Sequence, residues 1–262
     1  MAFSTITLDI NDGLAHLTLN RPEAANALNR AMGVDLRDAA IELYHRGDVR
    51  AVLLSSTGKV FCGGGDLASF AQQGDDLPAY IDQVTIDFHA AMSRMAKMDA
   101  PLVAAVAGSV GGAGMSLVSA CDLVVAGESC KFTMGYTRAG MVPDGTSSFF
   151  LARAVGLRRA MDLVLTNRVL TCAEAEDWGL VNRVVPDAEV LDQALALARQ
   201  LAAGPTRTFG LAKRVIYEGA SSPLEQAYER ESLAISAAAG TADGREGIAA
   251  FLDKRAPAFG GS

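Results

Sequence analysis

Pro101-Leu102-Val103-Ala104-Ala105-Val106 leads through Ala107 into Gly108-Ser109-Val110-Gly111-Gly112-Ala113-Gly114. A small-residue stretch then continues to Cys121, and Leu123 to Ala126 is apolar again. Unbroken apolar runs this short read as strands covered on both faces, and the small residues between them read as a helix entered through a glycine turn. That order predicts an α/β fold with a helix-covered sheet. Upstream, Val49 to Leu54 is another such run, followed by Phe61-Cys62-Gly63-Gly64-Gly65-Asp66-Leu67. Ile81, Val84, Phe88, Met92 and Met95 recur at helical spacing and mark an amphipathic helix ending near Lys97. Earlier still, Ile6, Leu8 and Ile10 alternate with polar residues, Asn11-Asp12-Gly13 supplies a turn, and Ala15, Leu17 and Leu19 resume the alternation. That is a hairpin. Asn20-Arg21-Pro22-Glu23 breaks the strand, and a helix from Asn29 carries Met32, Leu36, Ala39, Ala40 and Leu43 on one face. Past Val184-Val185-Pro186, residues 187–203 are rich in Ala and Leu, Gly204-Pro205 is a break, and 206–256 favour helix. Residues 1–204 are therefore read as an α/β body. Residues 205–262 are read as a helical appendage that packs on that body or on a neighbouring subunit.

The 262 residues carry 23 Lys+Arg against 30 Asp+Glu, a net charge of -7; half are hydrophobic and a fifth charged. Such a chain has ample material for a buried core and is not of the disordered class. It has no Lys/Arg-rich run, which argues against nucleic acid as a partner. No apolar stretch approaches the roughly 20 residues that span a bilayer, so no membrane partner is expected. The start, Met1-Ala2-Phe3-Ser4-Thr5-Ile6, has neither a basic stretch nor an apolar run, so no signal peptide is read and a cytoplasmic location is expected. Cys62, Cys121, Cys130 and Cys172 show no C-x-x-C spacing, and His16, His45 and His89 are scattered. Neither a zinc pattern nor a disulfide framework follows; the thiols read as small core residues.

Two glycine clusters remain to be explained. Gly63-x-Gly65-x-x-Ala68 formally fits a dinucleotide fingerprint, but the preceding strand is read as ending near Ser55, and no GxxxxGK[ST] occurs. Taken together, the clusters each place unobstructed backbone N–H groups after a buried strand, and the second opens a helix. A helix N-terminus carries free N–H donors and a positive dipole end. Two such donors converging on one carbonyl oxygen form an oxyanion hole, which stabilises an enolate by several kcal/mol.

Phe61 to Leu67 resembles the F-x-x-G-x-D loop of the crotonase (enoyl-CoA hydratase/isomerase) superfamily, and Pro101 to Asp122 resembles its second loop and helix. Leu19-Asn20-Arg21-Pro22 with Asn26-Ala27-Leu28, Trp178-Gly179-Leu180-Val181, and Ala250-Phe251 to Lys254-Arg255 with Phe259 are similar to further family signatures. The resemblance runs along essentially the whole chain. It implies a spiral of ββα turns, a C-terminal helical trimerisation segment, and a homotrimer or dimer of trimers. It also implies an acyl-CoA thioester substrate, with coenzyme A as part of that substrate and no metal or redox cofactor. The oxyanion donors would be the N–H groups of Gly65 and Ala113, flanked by Gly63, Asp66, Leu67 and Gly112. The adenine pocket would involve Ala24, Asn26, Ala27 and Leu28, with Phe251 and Lys254 supplied by an adjacent subunit.

The acid and base side chains then decide the chemistry. Hydratases of the family use two glutamates, whose positions correspond here to Ser116 and Tyr136. Neither serves as a general base near neutral pH, since a phenol titrates near 10. A hydratase label would therefore describe kinship and not reaction. A carboxylate stands instead at Val142-Pro143-Asp144-Gly145. Its place resembles the single acid of the family's Δ3,Δ2-enoyl-CoA isomerases and of ring-1,2-epoxyphenylacetyl-CoA isomerase. The expected activity is double-bond isomerisation with Asp144 as proton shuttle. Leu151 to Leu170 and Glu176 to Val184 also resemble 4-chlorobenzoyl-CoA dehalogenase, in which Asp144 would be the nucleophile and His89 the base. Tyr136 and Gly65 replace large aromatic residues there, which weakens an aryl pocket. A non-catalytic acyl-CoA-binding homologue is the remaining alternative.

Overall fold

The computed structural model describes residues 3–262. Met1 and Ala2, part of the start read above as lacking signal-peptide character, lie outside the described residues. The strands are β1 (Ile6–Asn11), β2 (Leu14–Leu19), β3 (Ala51–Ser56), β4 (Val60–Cys62), β5 (Leu102–Val106), β6 (Ser109–Gly111), β7 (Leu123–Gly127), β8 (Lys131–Thr133), β9 (Leu170–Thr171) and β10 (Arg183–Val185). The helices of the body are α1 (Arg30–His45), α2 (Leu67–Ala71), α3 (Leu77–Lys97), α4 (Ala113–Ala120), α5 (Ser147–Val155), α6 (Leu157–Thr166), α7 (Cys172–Asp177) and α8 (Val190–Ala202). Helices α9 (Thr206–Gly219), α10 (Leu224–Ala239) and α11 (Ala242–Leu252) complete the chain.

The hairpin forms because Asp12 and Gly13 both take positive φ, 49° and 77°, the geometry of a two-residue turn that matches strand twist. It starts a six-stranded sheet ordered β1-β2-β3-β5-β7-β10, parallel beyond the first pair. A second sheet, β4-β6-β8-β9, lies alongside. Each turn of the chain gives one strand to the first sheet, one to the second, and then a helix: β3 and β4 before α2–α3, β5 and β6 before α4, β7 and β8 before α5–α6. The fold is thus a stack of ββα turns.

Both faces of the large sheet are buried, which is why its strands read as continuous apolar runs. Leu53, Val103, Ala105 and Val125 meet Val190, Ala194 and Ala198, a stripe at four-residue spacing on α8. Their neighbours Val52, Leu54, Leu102, Ala104, Val124 and Ala126 face the main core with Met32, Leu36, Phe88, Met92 and Phe132. All four cysteines are buried, and burial pushes the Cys62 thiol up to about 11, as suits a packing residue.

The structure corrects one premise drawn from sequence. The apolar strand does end near Ser55, with β3 closing at Ser56, but a second strand, β4, follows it and runs directly into Gly63. Three-residue strands carry too few side chains for an alternation to register. The segment from 205 onward divides in its burial. Helix α9 is tied to the body by Lys213 Nζ–Asp122 Oδ2 (2.7 Å) and Arg214–Asp99 (2.7 Å). Burial pushes the Asp122 carboxyl up, against the pull of the Lys213 ammonium. Helix α10, by contrast, has no buried residue, and Leu224, Tyr228, Leu233 and Ile235 on it are exposed.

Candidate active site

The two glycine clusters meet backbone to backbone. Gly112, the residue before α4, has φ +45°, and a Cβ there would sit 3.2 Å from Gly64 Cα. Gly64 has φ +109°, with the Gly111 carbonyl 3.3 Å from where its Cβ would be. Side chains at these positions would hold the loops apart. The first loop is further fixed by a parallel bridge to the segment before α1: Leu28 N–H donates to Gly64 O (2.7 Å) and Asp66 N–H to Leu28 O (2.9 Å). The N–H of Gly63 donates to Ala25 O and that of Gly112 to Thr133 O. Among the described residues, the N–H groups of Gly65 and Ala113 have no acceptor in the protein. Ala113 is the first residue of α4, where an N–H has no intrahelical partner.

Both residues line one cavity of about 480 Å³, within the usual range of small-molecule sites. Leu28, Gly63, Leu67, Gly112, Tyr136 and Asp144 line it too. Its apolar wall comes from Phe70, Ile81, Val84, Met141 and Val142. Sequence reading did not name Met141 and Val142 as wall residues, while Ile81 and Val84 were legible as one face of α3.

Asp144 lies in a tightly held turn. Its carbonyl oxygen accepts from Ser116 Oγ (2.8 Å), Ser147 Oγ (2.8 Å) and Ser147 N–H (3.1 Å). Gly145 follows with φ +58°, and any Cβ there would come within 2.3 Å of the Phe88 ring. Thr146 then takes φ +69°, a strained value for a β-branched residue. The carboxylate oxygens differ in surroundings. Oδ1 accepts from Tyr136 OH at 2.6 Å, while Oδ2 lies 3.9 Å from His89 Nε2. That nitrogen accepts the Gly145 N–H at 3.1 Å. Burial, then the negative charge of Asp144, pushes the Tyr136 phenol well above its ordinary value, so it stays a donor. Ser116, wholly buried, lies behind the cavity wall.

Other expected site residues are placed differently. His89 does not line the cavity of Gly65 and Ala113. It faces an adjoining one of about 510 Å³, with Met92, Phe149 and Phe150, and Asp144 stands between the two. Asp66, expected among the substrate contacts, caps α2 by accepting Ser69 N–H (3.0 Å) and pairs with Arg21 (3.0 Å). Burial pushes its carboxyl up, yet the Ser69 N–H and Arg21 outweigh this and hold it below the ordinary carboxylate value. Asn26, expected to bind coenzyme A, has a fully buried side chain that accepts Arg21 N–H and donates to Thr57 O and Val60 O. Its side chain braces the loop holding Ala24 and Ala27. Arg21, not singled out from sequence, also donates to Ala27 O (2.6 Å) and so joins the two loops. Phe251 is 83% exposed on α11 and Lys254 follows that helix; neither lines the cavity.

Comparison with known proteins places the chain. Residues 9–262 match the enoyl-CoA hydratase/isomerase family. A probable enoyl-CoA hydratase of Rhodobacter capsulatus is 36% identical over 261 residues, covering 100% of both chains. The 1,2-epoxyphenylacetyl-CoA isomerase of Escherichia coli is 34% identical, covering 96% of this chain and 97% of its own. A 4-chlorobenzoyl coenzyme A dehalogenase of Arthrobacter is also 34% identical, covering 95% and 91%. A putative enoyl-CoA hydratase/isomerase from Mycobacterium abscessus superposes with a TM-score of 0.93 at 34% identity, covering 98% of this chain and 100% of that one. The stack of ββα turns, the paired glycine loops and these matches together make the chain a member of the enoyl-CoA hydratase/isomerase family, the crotonase superfamily.

Proposed function

We propose that this acyl-CoA enzyme moves a carbon–carbon double bond, converting a 3-enoyl thioester into its conjugated 2-enoyl isomer. One observation carries the reading: Asp144 is the single carboxylate among the residues lining the cavity shared by the Gly65 and Ala113 amides. The thioester oxygen would be held by those two N–H groups. Asp144 takes a proton from C2, the C2–H electron pair spreads over the dienolate, and the oxyanion donors stabilise the charge. The same proton returns to C4, leaving the double bond between C2 and C3. Water addition needs a second acid or base beside the substrate. Ser116, buried behind the wall, and Tyr136, held as a donor, do not supply one.

Hydrolytic dehalogenation of an aryl-CoA is the second reading, favoured by the nearness of His89 to Asp144. It is the poorer fit, because His89 Nε2 already accepts the Gly145 N–H and faces the adjoining cavity. Assembly as a trimer or dimer of trimers fits the exposed apolar residues of α10 and of α11, where Phe251 and Leu252 project. Phe251 and Lys254 would then reach a neighbour's adenine pocket.

Incubation with 3-enoyl-CoA thioesters of several chain lengths is expected to raise the absorbance of the conjugated thioester. Incubation with a 2-enoyl-CoA is expected to lower that absorbance no further than the isomerisation equilibrium and to yield no 3-hydroxyacyl thioester. Hydration of the second substrate without isomerisation of the first would refute the assignment.

A further inference from the structure

The two positions at which a hydratase would carry glutamates here converge on Asp144. Tyr136 OH donates to Oδ1 at 2.6 Å, Ser116 Oγ donates to the Asp144 carbonyl at 2.8 Å, and the two hydroxyls lie 3.1 Å apart. We infer that Tyr136 is a positioning residue that occupies Oδ1, leaving Oδ2 as the only oxygen through which Asp144 takes up and returns the proton. The inference rests on the isomerase reading and specifies how its one acid works.

The hydrogen inventory supports it. Two hydroxyl hydrogens serve three contacts. With one on Oδ1 and one on the carbonyl, the contact between Ser116 and Tyr136 is left without a proton. A short O–H···O bond to a carboxylate is among the stronger hydrogen bonds, so this is the resting arrangement. When Oδ2 takes the substrate proton, the acid becomes neutral and the bond to Oδ1 weakens. Ser116 Oγ, 3.1 Å away, then offers the phenol a second acceptor. Among the described residues Oδ2 has no donor of its own, since the nearby His89 Nε2 points a lone pair at the Gly145 N–H. The transfer balances: the C2–H bond breaks as Oδ2–H forms, then Oδ2–H breaks as C4–H forms. With one oxygen and no competing donor, the proton is handed from carbon to carbon with little loss to solvent.

The test is Tyr136→Phe, a change that removes one oxygen from the wall and keeps the ring. Turnover of 3-enoyl-CoA is expected to fall about 10- to 100-fold in kcat, with KM within about threefold. In deuterium oxide the variant's product should contain more solvent deuterium at C4 than the wild-type product. Its crystal structure, which needs no turnover, should show the Asp144 carboxylate rotated or in two conformers. An unmoved carboxylate with unchanged kcat and deuterium content would overturn the inference, and a change confined to KM would make Tyr136 a substrate contact instead. Wild-type turnover lost in Asp144→Asn but unaffected in Tyr136→Phe would sink this inference and leave the isomerase reading standing. A wild type inert towards every 3-enoyl-CoA would sink both.

Discussion

Asp144→Asn is expected to lower kcat and kcat/KM for a 3-enoyl-CoA together, by about 10²- to 10⁴-fold, the usual contribution of a positioned general acid–base. The amide matches the carboxylate in shape, and its oxygen can still accept the Tyr136 hydroxyl. The carbonyl bonds from Ser116 and Ser147 involve the main chain and are untouched. The fold and the melting temperature should therefore survive while the proton acceptor is lost. Equal loss in both constants marks a group acting in the transition state alone. Steady-state kinetics across a range of substrate concentrations, alongside thermal melting, measures it. Retained turnover in the folded variant would remove Asp144 from the mechanism.

Ala113→Pro is expected to lower kcat by at least about 10²- to 10³-fold, the cost of losing one oxyanion donor. The position lets the donor be removed without breaking the helix. Ala113 is the first residue of α4, where proline is readily accepted because the N–H there has no helical partner. Nothing in the protein accepts that N–H among the described residues, so the fold loses no hydrogen bond. The proline ring also projects into the space where the thioester oxygen would sit. Ala113→Ser retains the N–H and should remain within a few-fold of wild type. Matching losses in the two variants would place the effect on helix packing and not on the amide.

Much of this site was legible because its parts are local. The Pro101–Gly114 stretch announces strand, turn and helix entry in consecutive residues, and a main-chain donor at a helix start needs no distant partner. Asp144 could be found only through the family resemblance, which sets it at the place of the isomerases' single acid, because Pro-Asp-Gly by itself reads as a turn. What escaped reading depends on residues far apart in the chain. The small sheet joins strands of two or three residues that lie far apart in the chain, so its pairing leaves no periodic trace. Asn26 and Asp66 have side chains suited to binding, and only the packing of Arg21, Thr57 and Val60 around them makes them braces. His89 sits at the margin of the apolar face of α3. Which cavity it faces is set by Gly145, 56 residues away, whose N–H it accepts.

The most direct measurement is a crystal structure with a bound, unreactive acyl-CoA thioester. The expected result is a thioester oxygen about 2.7–3.1 Å from the amide nitrogens of both Gly65 and Ala113, with C2 and C4 of the acyl chain facing Asp144 Oδ2. A thioester oxygen bound elsewhere, or an acyl chain lying out of reach of that carboxylate, would contradict it.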